Sequence, residues 1–413
     1  MTAMRRLAAI AALCLLTLRV HAAELPVTLP GEVGMARLDR IDAFFRAEVA
    51  AKRLPGAVVM VARDGQVVHH AAYGVRDPAS GAAMAKDSTF RIYSMTKPVT
   101  AVAVLMLMEE GKLRLSDPLS RFLPAFAKPR VLVDGAEVPA EREITILDLL
   151  RHTSGMTYGV FGDTAVDRMM REAGLADPAM KHRLTDMQVA DAMAKLPLLQ
   201  QPGTQWQYGR STDVLLAVVE AVSGMRGDAF FQQRIFAPLG MVDTVFNLPV
   251  EKLGRMAEAG PDPTTGRTPA LTDVRQPRTF LGGGEGLLST ASDYMRFAVM
   301  LAQAGSLDGV RILSRKSVAL MAADHMGPEI GRGPGFQPGP GFGFGLTVGV
   351  RTSVGQASVP GSVGEYFWGG AGGTLFWIDP VERLVAVLMI QAPSQARHVR
   401  AALRAMVNQA LED

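Results

Sequence analysis

The stretch that most constrains this chain is Phe90-Arg91-Ile92-Tyr93-Ser94-Met95-Thr96-Lys97-Pro98, followed by residues 99–108, which offer no polar face. A helix that is apolar all round has to be buried. Pro98 lacks an N–H and is tolerated only in a first helical turn, and Glu109-Glu110-Gly111 supplies a glycine stop. The pattern therefore predicts a helix over about residues 94–110, with Ser94 at its positive end, where developing negative charge is stabilised. A lysine three positions after a serine shares its helix face, about 5–6 Å away at Cβ. Ser94 is the only serine here with a lysine at that offset.

Taken alone, Ser94 is either an N-cap beside a first-turn lysine or a nucleophile beside its base. The apolar surroundings favour the second, because a buried ammonium gives up its proton more easily.

Residues 1–22 have the form of a secretory signal: Arg5-Arg6, an apolar stretch over 7–18, and Val20-His21-Ala22 as a small-x-small cleavage site. The expected product is a periplasmic or secreted protein, cut after Ala22, without a stable membrane anchor. The single cysteine, Cys14, lies inside that segment, so the mature chain has no thiol for disulfides, nucleophilic catalysis or metal binding. Loss of Arg5, Arg6 and Arg19 leaves 40 basic against 40 acidic residues, which turns the formal charge of +3 into zero. No charge block suggests a nucleic-acid partner.

Asp64-Gly65 between the runs 56–62 and 66–72 signals a β-hairpin. His69 and His70 are adjacent, so they point to opposite sides of a strand and are a poor metal pair. Residues 118–280 look mostly helical and loop-rich, and His152 within them is expected to be structural. Tyr208 sits on a turn just ahead of an apolar helix over 214–222 that ends at Gly224; by its chemistry alone it is either a packing residue or a functional one. Gly282-Gly283-Gly284-Glu285-Gly286 permits close backbone approach, and Thr290-Ala291-Ser292-Asp293 reads as a capping box before a helix over 294–304. The glycine- and proline-rich residues 326–341 read as a flexible surface loop, of the kind that borders a site as a lid. Strands are expected over 342–350, 366–377 and 384–391, then a closing helix over 394–411. With strands at both ends and helices between them, the fold class is α/β (α+β): an antiparallel sheet flanked by helices, with a mostly helical insertion.

Ser94-Met95-Thr96-Lys97, Tyr208-Gly209-Arg210 and Trp368-Gly369-Gly370, in this order and spacing, resemble the serine β-lactamase and penicillin-recognising superfamily, and among its members the family VIII carboxylesterases. The likeness extends over nearly all of 23–413, including residues 149–155. It implies a β-lactamase/transpeptidase-like fold, with an α/β part of about 23–100 and 285–413 around a helical part of about 101–284. It further implies Ser94 as the acylated nucleophile, Lys97 as its base, Tyr208 as the phenolic proton shuttle, and an oxyanion hole from the backbone N–H groups of Ser94 and Ala371. Trp368, Gly369, Gly370 and Arg210 would contact substrate, and neither a metal nor an organic cofactor is implied.

Two departures bear on the substrate. Trp368 stands where such enzymes commonly carry a lysine suited to a carboxylate, and Arg210 stands where they commonly carry asparagine. An apolar ring cannot pair an anion, and Arg210 is as well suited to pointing into solvent. A small, neutral, short-to-medium acyl ester is the expected substrate. A β-lactamase, a D-amino-acid peptidase or other amide hydrolase, or an acyltransferase would use the same residues. A non-catalytic penicillin-recognition module would be expected to lack one of Ser94, Lys97 and Tyr208, and all three are present.

Overall fold

A computed structural model describes residues 35–411 of the chain. Residues 1–22, expected to be a signal segment cut after Ala22, lie outside the described residues.

Helix α1 (Met35–Ala50) precedes strands β1 (Gly56–Arg63) and β2 (Gln66–Asp77). Asp64 and Gly65 join the strands with φ of 54° and 76°, the left-handed pair that a two-residue hairpin turn demands. The far end of the chain returns to the same sheet: Leu384–Met389 pairs antiparallel with β1, so that Val59 faces Leu388. Outward from there follow Leu375–Asp379, Tyr366–Gly369, Gly349–Arg351 and Phe342–Phe344, while β2 and Ala82–Ala83 complete the other edge of the eight-stranded sheet. Two expected strands are each divided by a turn. Residues 342–350 bend where Thr347 takes a φ of 70°, and residues 366–377 bend between Gly369 and Leu375.

Alternation along β1 sorts the two layers. Ala57, Val59 and Val61 pack with Leu38, Ile41 and Phe45 of α1 and with Val399, Leu403 and Val407 of the closing helix Ala396–Asn408. Val58 and Met60 face the larger core instead, which contains the helix Ala291–Ala302. Thr290 caps that helix by accepting from Asp293 N–H, but only half of the expected box forms. The Asp293 carboxylate turns away to the Asp243 N–H and the Thr244 hydroxyl.

Between the sheet halves lie helices, among them Ser211–Ser223, which ends at Gly224 in the left-handed conformation. A second hairpin interrupts this region. Arg130–Val133 pairs with Ala136–Pro139 around Asp134-Gly135, the same turn chemistry as at residues 64–65. Helix α2 (Thr96–Glu109) packs against Ser211–Ser223, and every side chain from Thr96 to Leu107 is buried, as its missing polar face requires. Residues 93–95 form a single 3₁₀ turn before α2, so Ser94 stands half-exposed just ahead of the α-helix.

The hairpin histidines differ in surroundings. His69 approaches the Tyr73 hydroxyl at 3.0 Å, whereas the buried His70 Nε2 has no hydrogen-bond partner. Burial, with Lys86 and His69 nearby, lowers the His70 pKa to about 4. Its stabilising contribution is complete above pH 6.5 and is lost as pH falls toward 4. Denaturant titrations at pH 7.5 and 4.5 should therefore show wild type losing more stability on acidification than His70→Asn, by on the order of 2 kcal/mol.

Candidate active site

Every functional group on α2 depends on how Lys97 is satisfied. Its side chain is fully buried, and a buried amine without partners is costly. Lys97 Nζ approaches Ser94 Oγ at 3.3 Å, Tyr158 Oη at 2.8 Å and the Gly284 carbonyl at 2.7 Å. An ammonium has three N–H donors, which these three acceptors match; a neutral amine would keep two and turn its lone pair toward the Ser94 hydroxyl. The surroundings of Nζ are less apolar than α2 alone suggests, because the ring faces of Tyr208 and Tyr158 lie 4.7 and 5.3 Å away.

On the other side of Ser94, Tyr208 Oη donates to Oγ at 2.8 Å. The serine hydroxyl is thus held between an amine and a phenol from different parts of the chain. Trp368 is buried, and its indole N–H reaches Tyr208 Oη at 3.4 Å, so this ring acts on Tyr208. By the resemblance, Trp368, Gly369 and Gly370 would contact substrate. Of this segment only Ala371 lines the cleft beside Ser94. The two glycines are pressed against other groups: a Cβ at Gly369 would lie 2.7 Å from Arg400, and one at Gly370 would lie 2.4 Å from the Ile92 carbonyl. The backbone N–H groups of Ser94 and Ala371 make no hydrogen bond among the described residues. Tyr93, just before Ser94, is held at a φ of 42°, a conformation that bulky residues rarely adopt.

Arg210 does not point to solvent. It is buried, donates to Asp213 at 3.1 Å and to the Leu175 carbonyl at 2.8 Å, and forms part of the cleft wall. Asp213 in turn accepts the Gly284 N–H at 2.7 Å, and Asp186 accepts the N–H groups of Leu281 and Gly282 at 2.8 and 2.9 Å. Two buried carboxylates therefore fix the glycine loop that presents the Gly284 carbonyl to Lys97. Glycine is required there, because a Cβ at 284 would meet Asp213, Tyr158 and Lys97 within 3.3 Å. Burial pushes the Asp213 carboxyl up, opposed by Arg210, and raises Asp186 to about 7. Burial also works against ionised Glu285, but Lys181, Arg210 and Arg278 overcome it and hold its pKa at about 2.

The cleft above Ser94 has a volume of about 200 Å³. Tyr158, Val160, Phe161, Lys181, Arg210 and Glu285 line it, with Arg210 over the Tyr158 ring at 5.4 Å and Lys181 paired to Glu285 at 2.9 Å. Val160 and Phe161 are exposed, an apolar pair at the mouth.

Sequence reasoning missed Tyr158 and the Gly284 carbonyl. Tyr158 is one of six tyrosines and follows the 149–155 segment closely, but nothing in its spacing points to Lys97. Burial drives its pKa well above 10, with Asp213 adding to the effect, so its phenol stays neutral as a fixed partner of the amine. His152 is fully buried against the Tyr208 ring, with centroids 4.9 Å apart, and neither ring nitrogen has a hydrogen-bond partner among the described residues. Burial, and secondarily Lys97, keeps it neutral and far below its ordinary pKa. It supports the tyrosine from behind and does not reach Ser94. Residues 326–341 are tied to the strand of chain before Tyr208: Trp206 N–H donates to the Gly331 carbonyl at 2.8 Å, and Phe336 packs edge-on against Trp206.

Residues 41–411 match the Beta-lactamase family. The chain belongs to that family. Protein Rv1367c from Mycobacterium tuberculosis is 36% identical over 373 residues, which cover 86% of this chain and 90% of that protein. Esterase EstB from Burkholderia gladioli is 32% identical over 374 residues, covering 85% and 89%. Among solved structures, EstCE1, described as a hydrolase with promiscuous acyltransferase activity, superposes with a TM-score of 0.77 at 27% identity, over 91% of this chain and 99% of its own. The family member described here thus has the β-lactamase/transpeptidase-like fold and stands close to esterases, as a serine hydrolase or acyltransferase.

Tyr158→Phe removes one acceptor from Lys97 while retaining the ring. A hydrogen bond to a charged group contributes about 1.5–3 kcal/mol, so kcat should fall roughly 10- to 100-fold with KM little changed. Steady-state kinetics beside a melting curve checks this.

Proposed function

We propose that this protein is a serine carboxylesterase that cleaves neutral, short-to-medium acyl esters through an acyl-enzyme on Ser94. The observation that carries the proposal is the Ser94 hydroxyl lying within hydrogen-bond reach of both Tyr208 Oη and Lys97 Nζ. A serine hydroxyl is a weak nucleophile until a base contacts it. In the proposed sequence, Oγ attacks the ester carbonyl while its proton passes to the Lys97–Tyr208 pair. The carbonyl oxygen becomes an oxyanion held by the N–H groups of Ser94 and Ala371. Collapse breaks the bond to the alcohol, which leaves with the proton delivered through Tyr208. Water then enters and gives a proton to the same pair as its oxygen bonds to the acyl carbon; collapse breaks the bond from that carbon to Oγ, and the pair returns the proton to Oγ, which frees the acid and the serine. The exported location expected from residues 1–22 remains part of the proposal.

The substrate class rests on charge and shape. The cleft's cations are already engaged, Lys181 with Glu285 and Arg210 with Asp213. No lysine stands at position 368 to bind a carboxylate, and Val160 with Phe161 offers an apolar surface for an acyl or alcohol chain. The names of EstB and of the lovastatin esterase from Penicillium rubens, 31% identical over 383 residues, point the same way. A second reading, transfer of the acyl group to an alcohol other than water, has support from the description of EstCE1. The first half-reaction would be the same.

Initial rates on p-nitrophenyl acetate through octanoate and on a chromogenic cephalosporin test the proposal. Short esters should turn over roughly a hundred times more efficiently than the cephalosporin, and Ser94→Ala should abolish both. Phe161→Ala should lower kcat/KM for octanoate about tenfold more than for acetate, the scale of a lost apolar contact. A cephalosporin preferred over esters would make the protein a β-lactamase instead. A product ester formed when a small alcohol is added would identify the transfer reaction.

A further inference from the structure

Ala371 lies at the tip of a tight turn between Tyr366–Gly369 and Leu375–Asp379, and its N–H is useful only if that turn is held still. Two hydrogen bonds lie within the turn: Gly373 N–H to the Gly370 carbonyl at 3.0 Å, and Gly370 N–H to the Thr374 carbonyl at 2.9 Å. The remaining bonds come from outside. Arg400, on the closing helix, donates from Nη2 to the carbonyls of Gly370 and Thr374, both at 2.6 Å, and from Nε to the Gly373 carbonyl at 3.1 Å. One planar guanidinium thus spans three carbonyls that flank Ala371, a geometry that suits arginine and that a lysine cannot copy. Gly369 leaves room for it, since a Cβ there would strike the guanidinium.

The turn is also locked to the segment that carries Ser94. Gly370 lies against the Ile92 carbonyl so closely that no side chain would fit, and Gln391, next to the same strand end, donates to the Arg91 carbonyl at 3.2 Å. The two N–H groups of the oxyanion hole therefore come from one packed unit, and Arg400 braces the half remote from α2.

Arg400 makes no ion pair among the described residues, although Arg351 and Arg404 nearby share the Glu365 carboxylate. Burial, with Arg404 beside it, lowers its pKa to about 10, which leaves it cationic at neutral pH. Carbonyl groups point their negative ends at a cation, and their amide N–H ends are then oriented by the same contact. An unpaired cation behind the turn also favours negative charge developing in front of it.

We propose that Arg400 is a positioning residue for the oxyanion hole, acting through the Gly370–Thr374 turn on the N–H of Ala371. The inference rests on the acyl-enzyme reading of Ser94. Arg400 would not touch substrate, so its loss should act on the transition state and leave binding alone.

The test compares wild type, Arg400→Lys and Arg400→Met as full chains on p-nitrophenyl butyrate. The same proteins are inactivated with diethyl p-nitrophenyl phosphate, whose phosphoryl oxygen needs the same hole, and their melting temperatures are measured. Loss or misplacement of one oxyanion donor costs about a hundredfold. Arg400→Met should lower kcat by roughly that factor, with KM within about threefold of wild type and the phosphylation rate falling in parallel. Arg400→Lys, which keeps the charge but not the three-carbonyl fork, should be folded and fall between the two. A folded Arg400→Lys or Arg400→Met with wild-type kcat overturns the proposal. So does a loss that appears in KM, or one in which phosphylation stays at the wild-type rate while ester turnover drops. If Arg400→Met does not fold, the lysine variant alone decides between these results. A wild-type chain that shows no Ser94-dependent turnover and no labelling of Ser94 would instead remove the esterase reading, and the role of Arg400 with it.

Discussion

A lysine removed from water must find hydrogen-bond partners inside the protein, and the central part of this fold is arranged to supply them to Lys97. The partners come from three separate places: Ser94 in the 3₁₀ turn just before α2, Tyr158 from the loop after residues 149–155, and the Gly284 carbonyl from a glycine loop nearly two hundred residues away. None of the three could be displaced without leaving a buried polar group unsatisfied, which costs about 1–3 kcal/mol or more. The supporting contacts follow from this need. Asp213 and Asp186 hold the glycine loop by its N–H groups, Arg210 pairs with Asp213, and Lys181 and Arg278 gather with Arg210 around Glu285. The charged groups beside the cleft are occupied in building it.

The Ser94 hydroxyl depends on the same arrangement. Ser94 lies ahead of the fully buried part of α2, half-exposed, with Tyr208 on one side and Lys97 on the other. Tyr208 is fixed from behind by the neutral His152 ring and by the Trp368 indole, so its hydroxyl has little freedom to leave Oγ. Trp368 thus bears directly on Tyr208. Its N–H is a partner of the phenol, which sequence comparison with a lysine-bearing motif could not reveal.

What was legible in the sequence, and what was not, follows from how each group is encoded. Ser94 and Lys97 share one helix face, and their spacing is a local signal. The apolar run after them fixes burial, and Asp64-Gly65 fixes a hairpin. Asp134-Gly135 carries the same signal, but it lies within residues 118–280, whose overall pattern is helical and loop-rich. Residues 342–350 and 366–377 each look like one strand in sequence, because apolar residues stand on both sides of the turns at Thr347 and Ala371. The Gly284 carbonyl has no signature, since every residue has a carbonyl and only the fold decides where it points. Tyr158, Asp213 and Arg400 meet their partners across long sequence separations, and in Arg210 the side chain that looked suited to solvent proved to be a buried ion-pair partner. The glycine at 284 did mark close approach, but not what approaches.

The central claim is that Ser94 is the atom on which the acyl group rests. Rapid acid quench of the protein during turnover of p-nitrophenyl butyrate, followed by intact-mass measurement and peptide mapping, tests it most directly. A butyryl adduct on the peptide containing Ser94, present in wild type and absent from Ser94→Ala, is the result predicted. An adduct on another residue, or steady turnover by Ser94→Ala at the wild-type rate, would contradict it.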